Sequence, residues 1–189
     1  MPPAEPHVRG VVLKTYREIL KERFGEAGYA QVLKGLHDET REILVGMVIA
    51  TEWYPNRLIV DLYETIVRVH YDGKPEGIRE LGKLSAQRDL RGVFKIFVVV
   101  VSPQYLVSKT ASVWSRYFDH GKVEITDQKK GFCRGRFTAV CSRSTAFWQE
   151  ILGSCMGAIE AAGGKNAAPT IVAGGTANDE SMEAEMRWE

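Results

Sequence analysis

The sequence predicts an α+β fold, in which an N-terminal helical part is packed on a four-stranded antiparallel sheet. Two observations support this prediction. Apolar residues recur at helical spacing through residues 10–118, and alternation replaces that spacing after Gly121. The remainder, residues 119–189, fits a β-β-α-β-β unit of two hairpins joined by one long helix. Without a linker or internal repeat, residues 1–189 are expected to form a single domain.

The helical part follows a proline-rich start. Residues 1–9 are expected to form a flexible tail, and residues 10–118 are mainly helical. The apolar spacing predicts two helices that are separated by "FGEAG", whereas residues 37–54 fit either a short strand or a helix. Pro55 is typical of a first helical turn, and the apolar stripe from Leu58 to Val67 predicts the helix that follows.

Residues 94–101 carry conflicting signals. The run "FVVVV" has strand propensity, but the apolar spacing that begins at Leu90 is helical. We favour a helix on periodicity, and a strand stays open as the alternative. Pro103 then interrupts the chain, and a further helix carries Trp114 on its apolar face.

The C-terminal unit begins with a hairpin around "DQKKG" and ends with a second hairpin around "GGTANDES". In the last strand, apolar and charged residues alternate strictly. Met182, Ala184 and Met186 point to one face, and Glu183 and Glu185 point to the other. This pattern is typical of a sheet that is covered on one face only.

The helix between the hairpins, "FWQEILGSCMGAIEAAGG", contains small residues at helical spacing. Gly153, Gly157 and Ala161 are each four residues apart, so they share one face of the helix. Mid-helix glycine costs about 1 kcal/mol relative to alanine, and close approach of a second backbone offsets that cost. The row therefore predicts close packing within the chain or a dimer interface.

Composition excludes several classes of function. The formal net charge is +1, and no basic surplus or long basic stretch indicates a nucleic-acid partner. The longest apolar run is too short to cross a bilayer, and the first residues lack the apolar core of a signal peptide. Three cysteines without tight spacing suit a reducing compartment, so we expect a cytoplasmic protein.

No catalytic or cofactor motif occurs in the chain. The phosphate-binding loop, the dinucleotide fingerprint and the nucleophile elbow are all missing from the sequence. Cys133, Cys141 and Cys155 lack the spacing of a metal site, and buried thiols are the simpler interpretation. We therefore expect no enzyme activity, no cofactor and no metal. An enzyme that uses Cys141 or Cys155 as its nucleophile remains an alternative.

Aromatic residues provide the one indication of a ligand site. Such residues could converge between the helices and the sheet and line a pocket for a small apolar molecule, although a plain core would look the same in sequence. The candidates are Phe94, Phe97, Tyr105, Trp114 and Trp148.

Three phrases of the sequence resemble known proteins: "YPNRLIVDLYETIVR", "PEGIRELGKLSAQR" and "GSCMGAIEAAGGKN" with the closing "MEAEMRW". They resemble a paralogous family of uncharacterised proteins known chiefly from myxobacteria, over nearly the whole chain. That family is similar in layout to the superfamily of heme-NO-binding, four-vinyl-reductase and TRAPP-like ligand-binding domains. The resemblance implies helices packed on an antiparallel sheet, frequent dimerisation, and a sensing or adaptor role.

The chain departs from that superfamily where cofactors bind. "NDESMEAEM" lacks the cysteines of four-vinyl-reductase-like domains, and "SRYFDH" does not match the propionate-binding motif of heme-NO sensors. The sequence therefore predicts a non-enzymatic sensor or adaptor that binds a small apolar ligand or a partner protein. The alternatives are an interaction protein that acts as a homodimer without ligand, and a heme- or metal-binding sensor.

Overall fold

The computed structural model describes residues 5–92, 102–138 and 143–189. The choice between helix and strand for residues 94–101, and the positions of Phe94, Phe97 and Cys141, lie outside these ranges. Within them, the chain has an α+β architecture in which helices pack against one face of a four-stranded antiparallel sheet, as predicted.

Four helices and a small two-stranded sheet make up the first described range. The elements are β1 (His7–Arg9), α1 (Gly10–Gly35), α2 (Asp38–Val45), β2 (Trp53–Pro55), α3 (Asn56–His70), a 3-10 turn (Pro75–Ile78) and α4 (Arg79–Gly92). Helix α1 combines the two helices expected from sequence, and Gly25, with a φ of 69°, forms the kink between them.

The remaining elements include the main sheet and the long helix that joins its hairpins. They are α5 (Pro103–Ser108), α6 (Thr110–Tyr117), β3 (Lys122–Lys129), β4 (Phe132–Thr138), α7 (Thr145–Ala161), β5 (Ala168–Gly174) and β6 (Ser181–Arg187). Side chains cap two of these helices: the Ser102 hydroxyl accepts from the Tyr105 N–H, and Ser144 accepts from the Phe147 N–H.

The sheet has the strand order β3-β4-β6-β5, and all neighbouring strands are antiparallel. The alternation predicted for β6 is confirmed. Met182, Ala184 and Met186 are buried on the helical side, whereas Glu183 and Glu185 pair with arginines of β4. One face is therefore covered by helices, and the other is a ladder of ion pairs.

The N-terminal residues differ from their prediction as a flexible tail. His7–Arg9 forms β1, which pairs with β2, and Val8 is completely buried. The Asp119 carboxylate accepts from the backbone N–H of His7 at 2.8 Å, and one of its oxygens lies 3.0 Å from His7 Nδ1. Val8 is a single apolar residue between two polar ones, so the sequence shows no helical or strand pattern here. The strand forms because it pairs with β2, which is distant in sequence.

The main core lies between the helices and the sheet. Its largest fully buried side chains include Tyr16 of α1, Tyr63 of α3, and Phe147 and Trp148 of α7. A smaller cluster joins Val107, Cys133, Ile159, Met186 and Trp188 at the other end of the sheet. Among the described residues, no helix is both long enough and apolar enough to span a membrane.

Candidate functional site

A cavity of about 180 Å³ lies between these two parts of the core. Its walls come mainly from α4, α5, α6, α7 and the inner face of the sheet, and α1 and α3 contribute one residue each. Apolar cavities of roughly 150 Å³ hold a molecule the size of benzene. The space is therefore large enough for a small organic ligand, and most of its surface is apolar.

The position of α7 fixes one side of this cavity. A Cβ atom on Gly153 would lie 2.2 Å from the Arg79 carbonyl oxygen, and one on Gly157 would lie 2.3 Å from that of Lys83. The Gly82 position of α4 is equally tight, because a Cβ there would lie 2.5 Å from the Glu150 carbonyl oxygen. Helices α4 and α7 therefore touch backbone to backbone, which holds both helices in place beside the cavity.

The small-residue face of α7 thus lies against α4 of the same chain. Gly153 and Gly157 are buried in this contact, while Ala161 at the end of the helix is partly exposed. A second copy of the protein cannot reach the two glycines without separating the helices. Gly153 and Gly157 therefore serve close packing inside the chain, and they do not form a dimer interface.

The aromatic wall of the cavity is built on α6. Trp114 lines the cavity, its ring stacks on Phe118 with centroids 4.2 Å apart, and Phe137 of β4 lies 5.8 Å away. The indole N–H of Trp114 donates to the carbonyl oxygen of His120 at 2.9 Å. Because its one polar atom is satisfied, the ring presents an apolar surface to the cavity.

The other predicted pocket residues lie elsewhere. Tyr105 is 52% exposed on α5, where Lys109 lies over its ring, so it does not line the cavity. Trp148 is fully buried in the core, and its indole N–H donates to the carbonyl oxygen of Thr176 at 3.2 Å. Of the candidates within the described ranges, Trp114 alone borders the cavity.

A polar group that the sequence did not single out forms another part of the wall. Glu150 of α7 is 4% exposed and lines the cavity. Its Oε1 atom accepts from the Tyr16 hydroxyl at 2.8 Å and lies 3.0 Å from the Ser154 hydroxyl, and the Tyr63 hydroxyl also donates to the carboxyl group. Burial outweighs these hydrogen bonds and raises the pKa of Glu150 to about 7.

A second carboxyl group, Asp89 of α4, borders the same cavity. The Thr15 hydroxyl donates to this carboxyl group at 3.3 Å, and the Tyr117 hydroxyl also donates to it. Burial also raises the pKa of Asp89, although these hydrogen bonds oppose the shift. The negative charge of Asp89 also contributes to raising the pKa of Glu150, because it disfavours a second negative charge nearby.

Two thiols also border the cavity. Burial raises the pKa of Cys133 to about 11 and that of Cys155 to about 12. A reactive cysteine needs a lowered pKa, so Cys155 does not have the environment of a nucleophile. Within the described ranges, no group of three or more His, Cys, Asp or Glu residues is arranged to hold a metal ion.

Known structures share this architecture. The Fe(II) unliganded H-NOX protein from K. algicida aligns with a TM-score of 0.67 and 8% identity over 96% of both chains. A mutant H-NOX of T. tengcongensis aligns with a TM-score of 0.63 and 11% identity over 96% of this chain and 97% of that one. An oxygen-binding H-NOX domain related to soluble guanylate cyclases aligns with a TM-score of 0.67 and 12% identity, over 96% of this chain and 95% of that one.

The chain therefore has the fold of H-NOX domains, the heme-NO-binding group of the superfamily that the sequence resembles. At this level of identity the likeness shows the fold alone. No family model and no curated protein match the sequence, so the resemblance to a myxobacterial paralogous family gains no support.

The residues of the cavity do not fit a histidine-ligated heme. All four histidines of the chain lie in the described ranges, and none lines the cavity. Thiolate and tyrosinate are other axial ligands of heme iron, but burial raises the pKa of Cys133, Cys155, Tyr63 and Tyr117 and so disfavours the anionic form that each would need. The described walls also hold Asp89 and Glu150 but no Lys or Arg side chain to pair with the anionic propionates of a heme.

Proposed function

We propose that this protein is a sensor module that binds a small, largely apolar molecule in the cavity beside α7 and does not catalyse a reaction on it. The observation that carries the proposal is the cavity of about 180 Å³, which an otherwise close-packed interior leaves between its helices and sheet. The H-NOX fold supports it, because one structural neighbour is an oxygen-binding domain related to soluble guanylate cyclases.

The site favours binding over chemistry. Cys155, the nucleophile of the enzyme alternative, has its thiol pKa raised to about 12. The hydroxyl groups around Glu150 hold its carboxyl in place and leave the apolar wall free to contact a ligand. Unpaired thiols at Cys133 and Cys155 support a reducing compartment, so we place the protein in the cytoplasm.

Titration with 2-phenylethanol, a neutral probe of suitable size, tests the proposal by calorimetry. Ala158 lines the cavity, so Ala158→Leu should fill part of the space and weaken binding at least tenfold. Ala111→Leu, the same change at an exposed position of α6, is the matched control and should bind as the wild type does. Equal binding by both variants would contradict the proposal.

An absorption spectrum of the purified protein separates this proposal from the heme alternative. A protein that binds a small organic ligand should show only the aromatic band of its tryptophans and tyrosines. Native mass spectrometry of the same sample reports any bound mass. A Soret band with stoichiometric heme would contradict the fit of the cavity residues described above.

A homodimer that acts without ligand is the second candidate. The end of α2 and the segment that follows it expose a group of apolar side chains, which monomeric proteins seldom leave together on their surface. Val45 is 67% exposed, Met47 is 87% exposed and Ile49 is 47% exposed. Light scattering at several concentrations tests this candidate. A dimer that Met47→Asp dissociates, in a protein that binds no probe, would favour it.

A further inference from the structure

The charge of the cavity wall is one-sided. Asp89 and Glu150 are the acidic side chains that face the space, and the described walls contain no Lys, Arg or His side chain. Glu185 lies along the same wall, but its carboxylate pairs with Arg134 and Arg187 on the outer face of the sheet. The cavity therefore combines an apolar surface with a local concentration of acidic groups.

These acidic groups have no buried cationic partner among the described residues. Hydroxyl groups of Tyr16, Tyr63 and Ser154 surround Glu150. Arg88, the neighbour of Asp89 in sequence, is partly exposed and pairs with Glu18 and Glu22, and its charge also lowers the pKa of Asp89 from outside the cavity wall. Buried carboxylates in proteins are normally paired with a cation, because an unpaired charge in an apolar interior is costly. A positive charge is the one component that the described part of this site lacks.

We propose that the cavity selects an apolar molecule that carries one protonated amine, with the ammonium group against Asp89 and Glu150 and the hydrocarbon part against the wall around Trp114. The inference rests on the proposed function, since it names the chemistry of the ligand that the same cavity binds. An ammonium group donates up to three hydrogen bonds, and the two carboxyl groups that line the cavity can accept them. The apolar remainder of the ligand gains from burial.

The size of the cavity defines the probes. A volume of about 180 Å³ suits a single aromatic ring with a short side chain. We choose 2-phenylethylamine as the cation, 2-phenylethanol as the neutral analogue and phenylacetate as the anion. The three share their ring and differ in the charge of the polar end, so their affinities compare charge at nearly constant apolar area.

Calorimetric titration at pH 8, where Glu150 is mostly ionised, gives the first result. We expect 2-phenylethylamine to bind at least tenfold more tightly than 2-phenylethanol, and phenylacetate to bind more weakly than either. Phenylacetate binding as tightly as the amine would overturn the inference and leave the proposed function standing. No binding of any of the three probes would overturn both.

Variants identify the groups that select the cation. Glu150→Gln and Asp89→Asn keep the shape of each side chain and remove its charge. Each should weaken binding of 2-phenylethylamine about tenfold and leave binding of 2-phenylethanol unchanged, which also shows that the variant is folded. Glu76→Gln, a charge removal at an exposed position outside the cavity wall, is the matched control and should change neither affinity. Unaltered amine affinity in both cavity variants would contradict the assignment.

The pH dependence provides an independent readout. Tyr16 of α1, Tyr63 of α3, Asp89 of α4 and Cys155 of α7 are the titratable groups around Glu150, and burial keeps both tyrosines and the thiol protonated near neutral pH. With the pKa of Glu150 at about 7, its ionised fraction rises about tenfold between pH 6 and pH 8. Amine affinity should rise by a similar factor over this range in the wild type and stay flat in Glu150→Gln. A flat wild-type profile would show that Glu150 does not contact the amine.

Discussion

The two faces of α7 are packed in different ways although both are largely apolar in sequence. On one face, Gly153 and Gly157 lie against the carbonyl groups of Arg79 and Lys83. On the other face, residues such as Cys155 border the cavity. The difference shows that an apolar helix face indicates burial but does not indicate how completely the opposite side is filled. Side-chain size decides that, because glycine lets a backbone approach and larger residues hold the sheet away.

Leucine substitutions at positions 157 and 158, which lie on the two faces, should produce the largest difference in the free energy of unfolding. Gly157→Leu places a side chain where a Cβ alone would lie 2.3 Å from the Lys83 carbonyl oxygen. We expect the free energy of unfolding to fall by more than about 4 kcal/mol, beyond the usual cost of overpacking. Ala158 lines the cavity, so Ala158→Leu has space for the larger side chain. This variant should change the free energy of unfolding by less than about 1 kcal/mol.

Chemical denaturation of both variants measures this contrast. If Gly157→Leu does not fold, Gly157→Ala provides the same comparison with one methyl group and should still be less stable than the wild type. Equal stabilities for the variants at 157 and 158 would show that the two faces do not differ in packing.

The polar wall of the cavity should produce the second largest effect, through pH. The pKa of Glu150 is about 7 in the folded protein, against an ordinary value of 4.5. A carboxyl with a raised folded pKa stabilises the fold below its unfolded pKa, and this contribution is lost as the pH rises through 7. Between pH 4.5 and pH 8 the wild type should lose about 3 kcal/mol relative to Glu150→Gln.

Urea denaturation of both proteins across this pH range gives the difference directly. Other titrating groups cancel in the comparison because they are common to both chains. Glu76→Gln, at an exposed position, should run parallel to the wild type throughout. A constant difference between Glu150→Gln and the wild type would mean that Glu150 titrates normally.

Ser154 connects the two faces and should have a smaller effect. Its hydroxyl lies 3.0 Å from Glu150 Oε1 and 3.3 Å from the carbonyl oxygen of Gly82 on α4. Ser154→Ala removes a hydrogen-bonding group from the interior and should cost about 1 kcal/mol. Thermal denaturation of this variant should be compared with Ser115→Ala at an exposed position of α6, which should be neutral. Equal stabilities would show that the Ser154 hydroxyl contributes nothing.

The ion pair at the edge of the α4–α7 contact should have the smallest effect. Lys83 Nζ lies 2.7 Å from a carboxylate oxygen of Glu160, and both side chains are partly exposed, at 34% and 18%. Glu160→Gln should cost about 0.5 kcal/mol at low salt, because solvent screens such pairs. The loss should disappear in concentrated sodium chloride. A loss independent of salt would mean that packing and not charge is responsible.

The candidate site is only partly visible in the sequence. Trp114 is identified because its aromatic ring falls on a helical apolar face. Glu150 is missed, although a charged residue within the apolar run "FWQEILGSCMGAI" is a signal that could have identified it. Asp89 gives no such signal, because Gln87, Arg88 and Arg91 around it are polar and an exposed helix position would look the same. Tyr105 is misassigned for the opposite reason, since helical spacing does not say which apolar face meets the core.

The sequence by itself determined the α+β class, the four-stranded sheet with one covered face, and the small-residue face of α7. These features follow from the periodicity and side-chain sizes of residues that are close in sequence, so they do not depend on how the elements pack. Only the tertiary structure decided that β1 pairs with β2, that the glycines meet α4, and that Glu150 and Asp89 line the same cavity. Asp89 and Glu150 are far apart in sequence, and such long-range contacts depend on how whole elements pack and not on the local pattern of either segment.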